Sequence, residues 1–298
     1  MRTKELAQLI RDTAFSVEAK RTRDNSAQTT ARARAWRSAA DRIEAHYTPR
    51  QIITENKINS IPDMTPYMKD KLCGYIRNPP TEPSQLAQLA SVQGLGAKRA
   101  AELIQNNITS VDQLHQPAIL DTLPAETRAY LTRNPETNIP RRTMTSLDRA
   151  IGNVLEGVGK YKIAGSYRRK MPRSRDIDLI VYDITLPEVE QALQPLKLEI
   201  YARGGQKATG LIKHRSKWYK VDIMHTTPEQ FPYFLLYLTG SRNFNIRMRQ
   251  VAKDRGLLLN QRGLYRTQQG KKVRIPARSE QEIFDHLGMV YVEPCDRI

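Results

Sequence analysis

Gly165-Ser166-Tyr167-Arg168-Arg169-Lys170-Met171-Pro172-Arg173-Ser174-Arg175-Asp176-Ile177-Asp178-Leu179-Ile180-Val181 is the stretch on which the fold turns. Its end reads as a strand. In a strand residues i and i+2 share a face, so Asp176 and Asp178 project side by side while Ile177 and Leu179 enter apolar packing. Two adjacent carboxylates repel unless cations neutralise them. Oxygen-only clusters of this kind suit Mg²⁺, which binds one or two carboxylates, water and substrate phosphate. A third carboxylate, Asp222, sits in Trp218-Tyr219-Lys220-Val221-Asp222-Ile223-Met224. Arriving on a neighbouring strand, it would complete a two-metal site for in-line phosphoryl or nucleotidyl transfer.

A bare Asp-x-Asp also decorates solvated strand edges, so the residues upstream carry weight. Lys160-Tyr161-Lys162-Ile163-Ala164 reads as a strand and runs into Gly165-Ser166. A Gly-Ser turn lets backbone N–H groups and a hydroxyl approach a phosphate closely. Arg168 and Arg169 add cations beside it. A phosphate cradle joined to a metal pair is the pattern of a nucleotidyltransferase core.

The 298 residues have room for two or three small domains and a sizeable core. A formal net charge of +17 favours a polyanionic partner, nucleic acid first. No long apolar run or basic amphipathic anchor points to a membrane. Met1-Arg2-Thr3-Lys4-Glu5 lacks an apolar signal core, so an intracellular location is expected. Cys73 and Cys295, the two cysteines, read as reduced thiols.

Residues 1 to about 80 read as helical and Arg-rich. Within 31–47, Ala35, Ala39, Ile43 and Tyr47 recur at four-residue spacing on one predicted helix face, and Thr48-Pro49 is expected to open the next helix. Asn78-Pro79-Pro80-Thr81-Glu82-Pro83 is a break and a boundary. From Pro140 a helix over 141–155 leads into strands at 177–181, 198–201, 209–213 and 219–224 of one sheet, with a helix over 186–196. Helices are predicted over 228–238 and 242–253 around Thr239-Gly240-Ser241, then short strands over 257–260 and 264–266 and a helix over 280–287.

Between the helical segments lies Ser91-Val92-Gln93-Gly94-Leu95-Gly96-Ala97-Lys98-Arg99. Gly94-Leu95-Gly96 makes a tight hairpin whose N–H groups, at the start of the following helix, can meet a DNA phosphate without reading sequence. Lys98 and Arg99 add charge there. The alternative is an ordinary helix corner capped by glycine. A counterpart at residues 58–72 has the apolar frame of such a hairpin but no glycine in its turn, and Asp63 would oppose a phosphate.

These motifs resemble the family X DNA polymerases over nearly the whole chain. The resemblance rests on 165–169, Asp176-Ile177-Asp178, Lys220-Val221-Asp222, Tyr237-Leu238-Thr239-Gly240-Ser241-Arg242-Asn243-Phe244-Asn245, Ile283-Phe284-Asp285-His286-Leu287 and Tyr291-Val292-Glu293-Pro294. It implies an α+β multidomain chain. The parts would be a helical lyase-like domain (1–80), a helix-hairpin-helix DNA-binding subdomain (81–139), a catalytic palm with a mixed β-sheet (140–238) and a small nucleotide-selecting subdomain (239–298). No BRCT-like domain is expected ahead of them. The implied function is a DNA-directed DNA polymerase of repair type that fills short gaps in base excision repair. It would use Mg²⁺ or Mn²⁺ and dNTPs on gapped or nicked DNA, as a monomer, wherever the genome is repaired (the host cell, if viral). The implied alternatives are a template-independent or RNA-tailing nucleotidyltransferase and, from another class, an inactive DNA-bridging protein.

The resemblance also implies roles. Asp176 and Asp178 would hold both metals, and Asp222 the catalytic one beside the primer 3′-hydroxyl. Ser166 and Arg169 would meet the β- and γ-phosphates, and Gly165 and Arg175 would also belong to the nucleotide-binding site. Tyr237, Leu238 and Gly240 would line the sugar, with Arg242 near the base pair and Asn245 and Arg249 on the minor-groove side. A monovalent cation would sit at the hairpin by Val92 and Leu95. Lys71 would be the Schiff-base nucleophile of a 5′-deoxyribose-phosphate lyase, aligned through Ile61-Pro62, with Lys69 and Arg77 nearby to depress its pKa.

The chain also departs from the family pattern. Arg175 replaces a Gly, where it would crowd the turn or contact phosphate. Leu238 replaces a Phe and Arg242 an Asp. Met224 replaces an arginine that pairs with a metal-binding aspartate in vertebrate members, and Gln261 and Arg262 replace that arginine's partners. Ala31, Arg32 and Tyr67 replace lyase-pocket His and Lys residues.

Overall fold

We describe the protein from a computed structural model, in residues 1–19, 26–61, 64–78, 84–268 and 271–297. Pro62 and Asp63 of the weak counterpart hairpin, and residues 79–83 of the proline-rich break, lie outside the described residues. The chain divides into two compact units, Met1–Leu131 and Thr132–Ile298.

The first unit is helical. Its elements are α1 (Thr3–Ala19), α2 (Ser26–His46), α3 (Glu55–Ser60), α4 (Pro66–Arg77), α5 (Gln85–Ala90), α6 (Gly96–Gln105), α7 (Pro117–Leu120) and α8 (Ala125–Arg133). Leu6, Ile10 and Ala14 line one face of α1 and pack with Trp36, Ala40 and Ile43 of α2 and Leu72 of α4. The buried stripe of α2 is therefore Ala33, Trp36, Ala39, Ala40 and Ile43; the predicted Ala39 and Ile43 belong to it, while Ala35 is exposed. The bulky indole sets the face, and a small alanine tolerates either side. Thr48-Pro49 opens only a turn. The chain then bridges Ile52 to Arg2, and α3 begins at Glu55 after Thr54. The β-branched Ile52-Ile53-Thr54 run disfavours an earlier start. A second core gathers Leu89, Leu95, Ala100, Leu103 and Leu114 around α5 and α6.

The second unit is α+β. A two-residue ribbon pairs β1 (Ile139–Pro140) with β3 (Arg173–Ser174). The main sheet has the order β2-β4-β7-β6-β5, from β2 (Lys160–Ile163), β4 (Ile177–Tyr182), β7 (Lys217–His225), β6 (Lys207–His214) and β5 (Glu199–Arg203). β4 and β7 run parallel and the other neighbours antiparallel, so the sheet is mixed, as expected.

One face of the sheet meets α9 (Arg141–Leu155) and α11 (Leu186–Ala192). Met144, Leu147, Ile151 and Leu155 recur at helical spacing on α9 and bury against Ile177, Leu179, Val221 and Ile223. The helix predicted over 186–196 stops at Ala192 and passes into a 3₁₀ turn, Gln194–Leu196, because Pro195 supplies no N–H to continue it. The other face carries Asp178 and Asp222 at one end and Ile180 at the other. Ile180 packs with Ala164 and with Phe234 of α12 (Phe231–Thr239), and Met224 lies against the same group. The helix expected from residue 228 begins at Phe231, with Pro232 in its first turn.

Beyond it come α10 (Gly165–Arg168, between β2 and β3), α13 (Arg242–Asp254), the antiparallel sheet β8 (Leu257–Asn260), β9 (Gly263–Gln268) and β10 (Lys271–Ile275), and α14 (Glu280–His286). Tyr233, Phe244, Met248, Leu264 and Phe284 form their core. No sequence signal marked β10, because its lysines and arginine obscure the alternation of Val273 with Ile275. No helix among the described residues is long and apolar enough to cross a membrane. Both cysteines are free, Cys73 buried and Cys295 exposed.

Candidate active site

Register assembles the acidic centre. In the parallel β4–β7 pair Asp178 stands opposite Asp222, and in the antiparallel β6–β7 pair Asp222 stands opposite Thr209. Neighbouring strands lie about 4.8 Å apart, so these side chains adjoin on one face. Asp176 stands one residue before β4. Gly165, at φ +58°, fits beneath this group, since a Cβ there would lie 1.9 Å from Asp178 Oδ2. The glycine that turns the cradle is thus also the residue that makes room for the carboxylate.

The carboxylates disturb one another. Burial, then the charges of Asp176 and Asp222, push Asp178 up to about 7 against the pull of Lys207 and Lys220. Burial also raises Asp176, with Lys220 opposing it and Asp222 adding to it. Asp222 is held differently. Its Oδ1 accepts from Thr209 Oγ1 at 2.7 Å and pairs with Lys207 Nζ at 3.1 Å, and its Oδ2 lies 3.8 Å from Lys220 Nζ. Among the described residues, no three Asp, Glu, His or Cys side chains are gathered closely enough to close around one ion. The donor set nonetheless fits a hard divalent cation, being all carboxylate oxygen and carrying surplus negative charge at Asp176 and Asp178. Lysines balance the third carboxylate.

This makes a pH prediction. Asp178 has a folded pKa above its unfolded value of 3.8, so its contribution to stability is complete below about 4 and is lost as pH rises through about 7. Chelated protein is expected to melt at a lower temperature at pH 8 than at pH 5.5, and Asp178→Asn to flatten that difference. Mg²⁺ should raise the melting temperature more at pH 8. Melting curves with chelator, then with Mg²⁺, check this, and a wild-type profile that matches Asp178→Asn would refute it.

Beside the aspartates opens a cavity of about 760 Å³. Gly165, Ser166, Arg169, Arg175, Asp176, Asp178, Tyr237, Leu238, Gly240, Arg242, Asn245 and Arg249 all line it, so the predicted nucleotide-site residues and Arg249 converge on one space. Ser166 Oγ donates to Ser174 Oγ at 2.8 Å, which ties the cradle to the β1–β3 ribbon. Burial lowers the Arg169 pKa, opposed by the charge of Asp178, and Arg169 Nη1 donates to the Thr239 carbonyl. A Cβ at Gly240, φ +66°, would come within 3.2 Å of the same guanidinium. Asn245 Nδ2 donates to the Tyr237 carbonyl at 2.7 Å, and Arg249 lies over the Tyr237 ring at 5.2 Å. Arg175 lies outside the left-handed backbone region and lines the cavity.

Three findings were not foreseen. Arg173 joins the cavity wall, with Met171 and Ile246. Lys207 and Thr209 hold Asp222. Arg168, expected beside the phosphates, instead donates two bonds to Glu280, at 2.9 and 2.7 Å, and one to Thr239 Oγ1. Arg297 meets the same carboxylate at 2.8 and 3.2 Å, with its side chain fully buried. Burial pushes the Glu280 pKa up, but the two guanidiniums outweigh it and hold the group below the ordinary range. No local motif announces this triad, because its members lie far apart in sequence.

In the first unit, Gly94 (φ +81°) and Gly96 (φ +65°) form the turn between α5 and α6. A Cβ on Gly94 would meet Thr127 Oγ1 at 2.9 Å, whereas Gly96 faces open space. Lys98 is exposed, and Arg99 Nη2 donates to the Thr122 carbonyl at 3.0 Å. Lys71 is exposed, its Nζ 5.6 Å from the Tyr75 ring centre. Lys69 Nζ donates to the Asn59 carbonyl and Arg77 Nε pairs with Glu55 at 3.4 Å. A cavity of about 650 Å³ in this unit is lined by Arg32, Trp36 and Tyr67 among others.

The second unit thus sets in-register aspartates on a mixed sheet beside an arginine-lined cavity, and the chain is similar to several known proteins. Residues 234–298 match the family model described as DNA polymerase beta thumb. The DNA polymerase/3′-5′ exonuclease PolX of Bacillus subtilis is 33% identical over 137 residues, 45% of this chain and 24% of that protein. A repair DNA polymerase X of African swine fever virus is 28% identical over 141 residues, 45% of this chain and 79% of the viral protein. The crystal structure of Leishmania infantum polymerase beta in a ternary P/T complex superimposes with a TM-score of 0.62 and 29% identity, covering 72% of this chain and 98% of that one. The chain is thus similar to family X DNA polymerases, over its C-terminal 65 residues by the family model and over 72% of its length by the solved structure.

Proposed function

We propose that this chain is a template-directed DNA polymerase of repair type that fills short gaps. The carrying observation is the register that sets Asp178 beside Asp222, next to a cavity lined by Ser166 and five arginines. Asp176 and Asp178, with Asp222 once it leaves Thr209 and Lys207, would hold divalent metal, Mg²⁺ or Mn²⁺. When bound, such ions neutralise the phosphates and lower the pKa of a coordinated hydroxyl. Ser166, Arg169 and Arg175 bind the β- and γ-phosphates of a dNTP. Tyr237, Leu238 and Gly240 pack against its sugar, and Asn245 and Arg249 meet the nascent pair. The primer 3′-hydroxyl gives its proton to solvent, its oxygen forms a bond to the α-phosphorus as the bond to the bridging oxygen breaks, and pyrophosphate leaves with that electron pair. We assign 1–80, 81–139, 140–238 and 239–298 the four roles expected of them. Extension of a one-nucleotide gap bearing a 5′-phosphate, set against an open template and against primer alone, tests this reading. Templated, chelator-sensitive addition supports it. Equal addition to untemplated primer would replace it with a terminal transferase.

The α5–α6 turn is proposed to hold DNA backbone through its N–H groups, with a monovalent cation at the Val92 and Leu95 carbonyls. Gly96→Val should weaken gapped-DNA affinity several-fold, and its φ of +65° makes a β-branched residue strain the turn, so melting should fall as well. Gly94→Val should also destabilise the fold, because its side chain meets Thr127. Fluorescence anisotropy on gapped DNA checks this, and unchanged affinity in Gly96→Val would make the turn purely structural.

We further propose a 5′-deoxyribose-phosphate lyase step at Lys71. Borohydride should trap an imine between Lys71 Nζ and the aldehyde of the substrate, with loss of water, in the presence of chelator. Lys71→Ala should remove most of the adduct and keep gap filling. Full adduct yield in that variant would exclude Lys71.

A further inference from the structure

We infer that the second unit carries an oligophosphate pocket behind the nucleotide cradle, which receives the pyrophosphate released in the cradle. A cavity of about 660 Å³ lies between the start of α9, the β1–β3 ribbon and the β6–β7 hairpin. Three guanidiniums line it, Arg142, Arg173 and Arg215. None of the three forms an ion pair within 4 Å among the described residues; Arg173 Nη1 donates to the Asn138 carbonyl at 3.3 Å, and its charge acts on Glu136. The acidic group on the wall, Glu136, is already neutralised by Lys217 Nζ at 2.6 Å. The pocket therefore presents surplus positive charge in a concave space, which suits a compact polyanion.

Arg173 lines both this pocket and the catalytic cavity. Its neighbour on β3, Ser174, accepts the hydrogen bond from Ser166 of the cradle. The ribbon is thus a partition between the two spaces, with one arginine common to both. Arg215 occupies the β6–β7 turn at φ +55°, a left-handed position that asparagine or glycine would fill with less strain. A guanidinium is kept there despite that cost. Through Arg173 the pocket adjoins the cavity in which the proposed transfer would release pyrophosphate.

The inference rests on the proposed nucleotidyl transfer for the source of the anion, but its test does not need that activity. Calorimetric titration of the metal-free protein with inorganic pyrophosphate should show two sites per chain. Arg142→Gln/Arg215→Gln, both exposed positions, should retain one, with the lost site at least tenfold weaker. Arg215→Lys should keep most of the affinity. Gap filling by the double variant at saturating dNTP should stay near wild type while product inhibition by pyrophosphate changes. Identical titrations for wild type and the double variant would overturn the pocket. So would a loss confined to gapped-DNA affinity, which would assign the arginines to nucleic acid. If wild type binds two pyrophosphates yet adds no nucleotide, the polymerase reading fails and the pocket stands.

Discussion

Asp222→Ala is expected to lower the rate of nucleotide addition by about 10³-fold or more while gapped-DNA affinity stays within about twofold. The carboxylate lies opposite Asp178 in the sheet and is held by Thr209 and Lys207, and none of the proposed DNA-backbone contacts of the α5–α6 turn involves it. Its loss removes a charge needed only as the new bond forms. It also frees Lys207 and Lys220, whose charge then acts on Asp178 and Asp176 and favours their ionisation. Single-turnover gap filling beside anisotropy separates the two quantities. Activity within tenfold of wild type would remove Asp222 from the site.

The second large effect is structural. Glu280→Ala should destabilise the second unit by about 3–5 kcal/mol, because it leaves the fully buried Arg297 and the largely buried Arg168 without their shared carboxylate. Glu280→Gln should lose less, since it keeps acceptor capacity but not charge. Arg168 follows directly on the cradle residues Ser166 and Tyr167 in α10, so the same variant is expected to loosen the nucleotide site and raise KM for dNTP before it lowers kcat. Urea denaturation followed by tryptophan fluorescence measures the first effect, and steady-state gap filling the second. A loss under about 1 kcal/mol would show that the triad is replaceable by water.

The legible and illegible parts of this chain differ in range. Asp176 and Asp178 could be placed because alternation is a property of the strand itself, and Gly165-Ser166 because a turn before a strand is local. Strands β4, β6 and β7 announced themselves through β-branched and aromatic runs. The partners of Asp222 did not, since Lys207 and Thr209 reach it only through the β6–β7 register. Arg168 was read as a phosphate contact from its position beside Ser166. Glu280, on α14, captures it instead. The face of α2 was misjudged at Ala35 because alanine spacing alone cannot choose between two adjacent stripes. Met224, read as a lost arginine partner of a metal-binding aspartate, lies against the apolar group of Ile180 and Phe234. Lysines from β6 and β7 now serve the acidic centre.

The most direct test offers each of the four dNTPs singly, with Mg²⁺, to a one-nucleotide gap carrying each template base in turn, using wild type and Asp222→Ala in parallel. The account predicts that wild type inserts the complementary nucleotide in preference at every template base and that the variant inserts any nucleotide about 10³-fold more slowly or worse. Insertion that ignores the template base, or equal insertion by the variant, would contradict it.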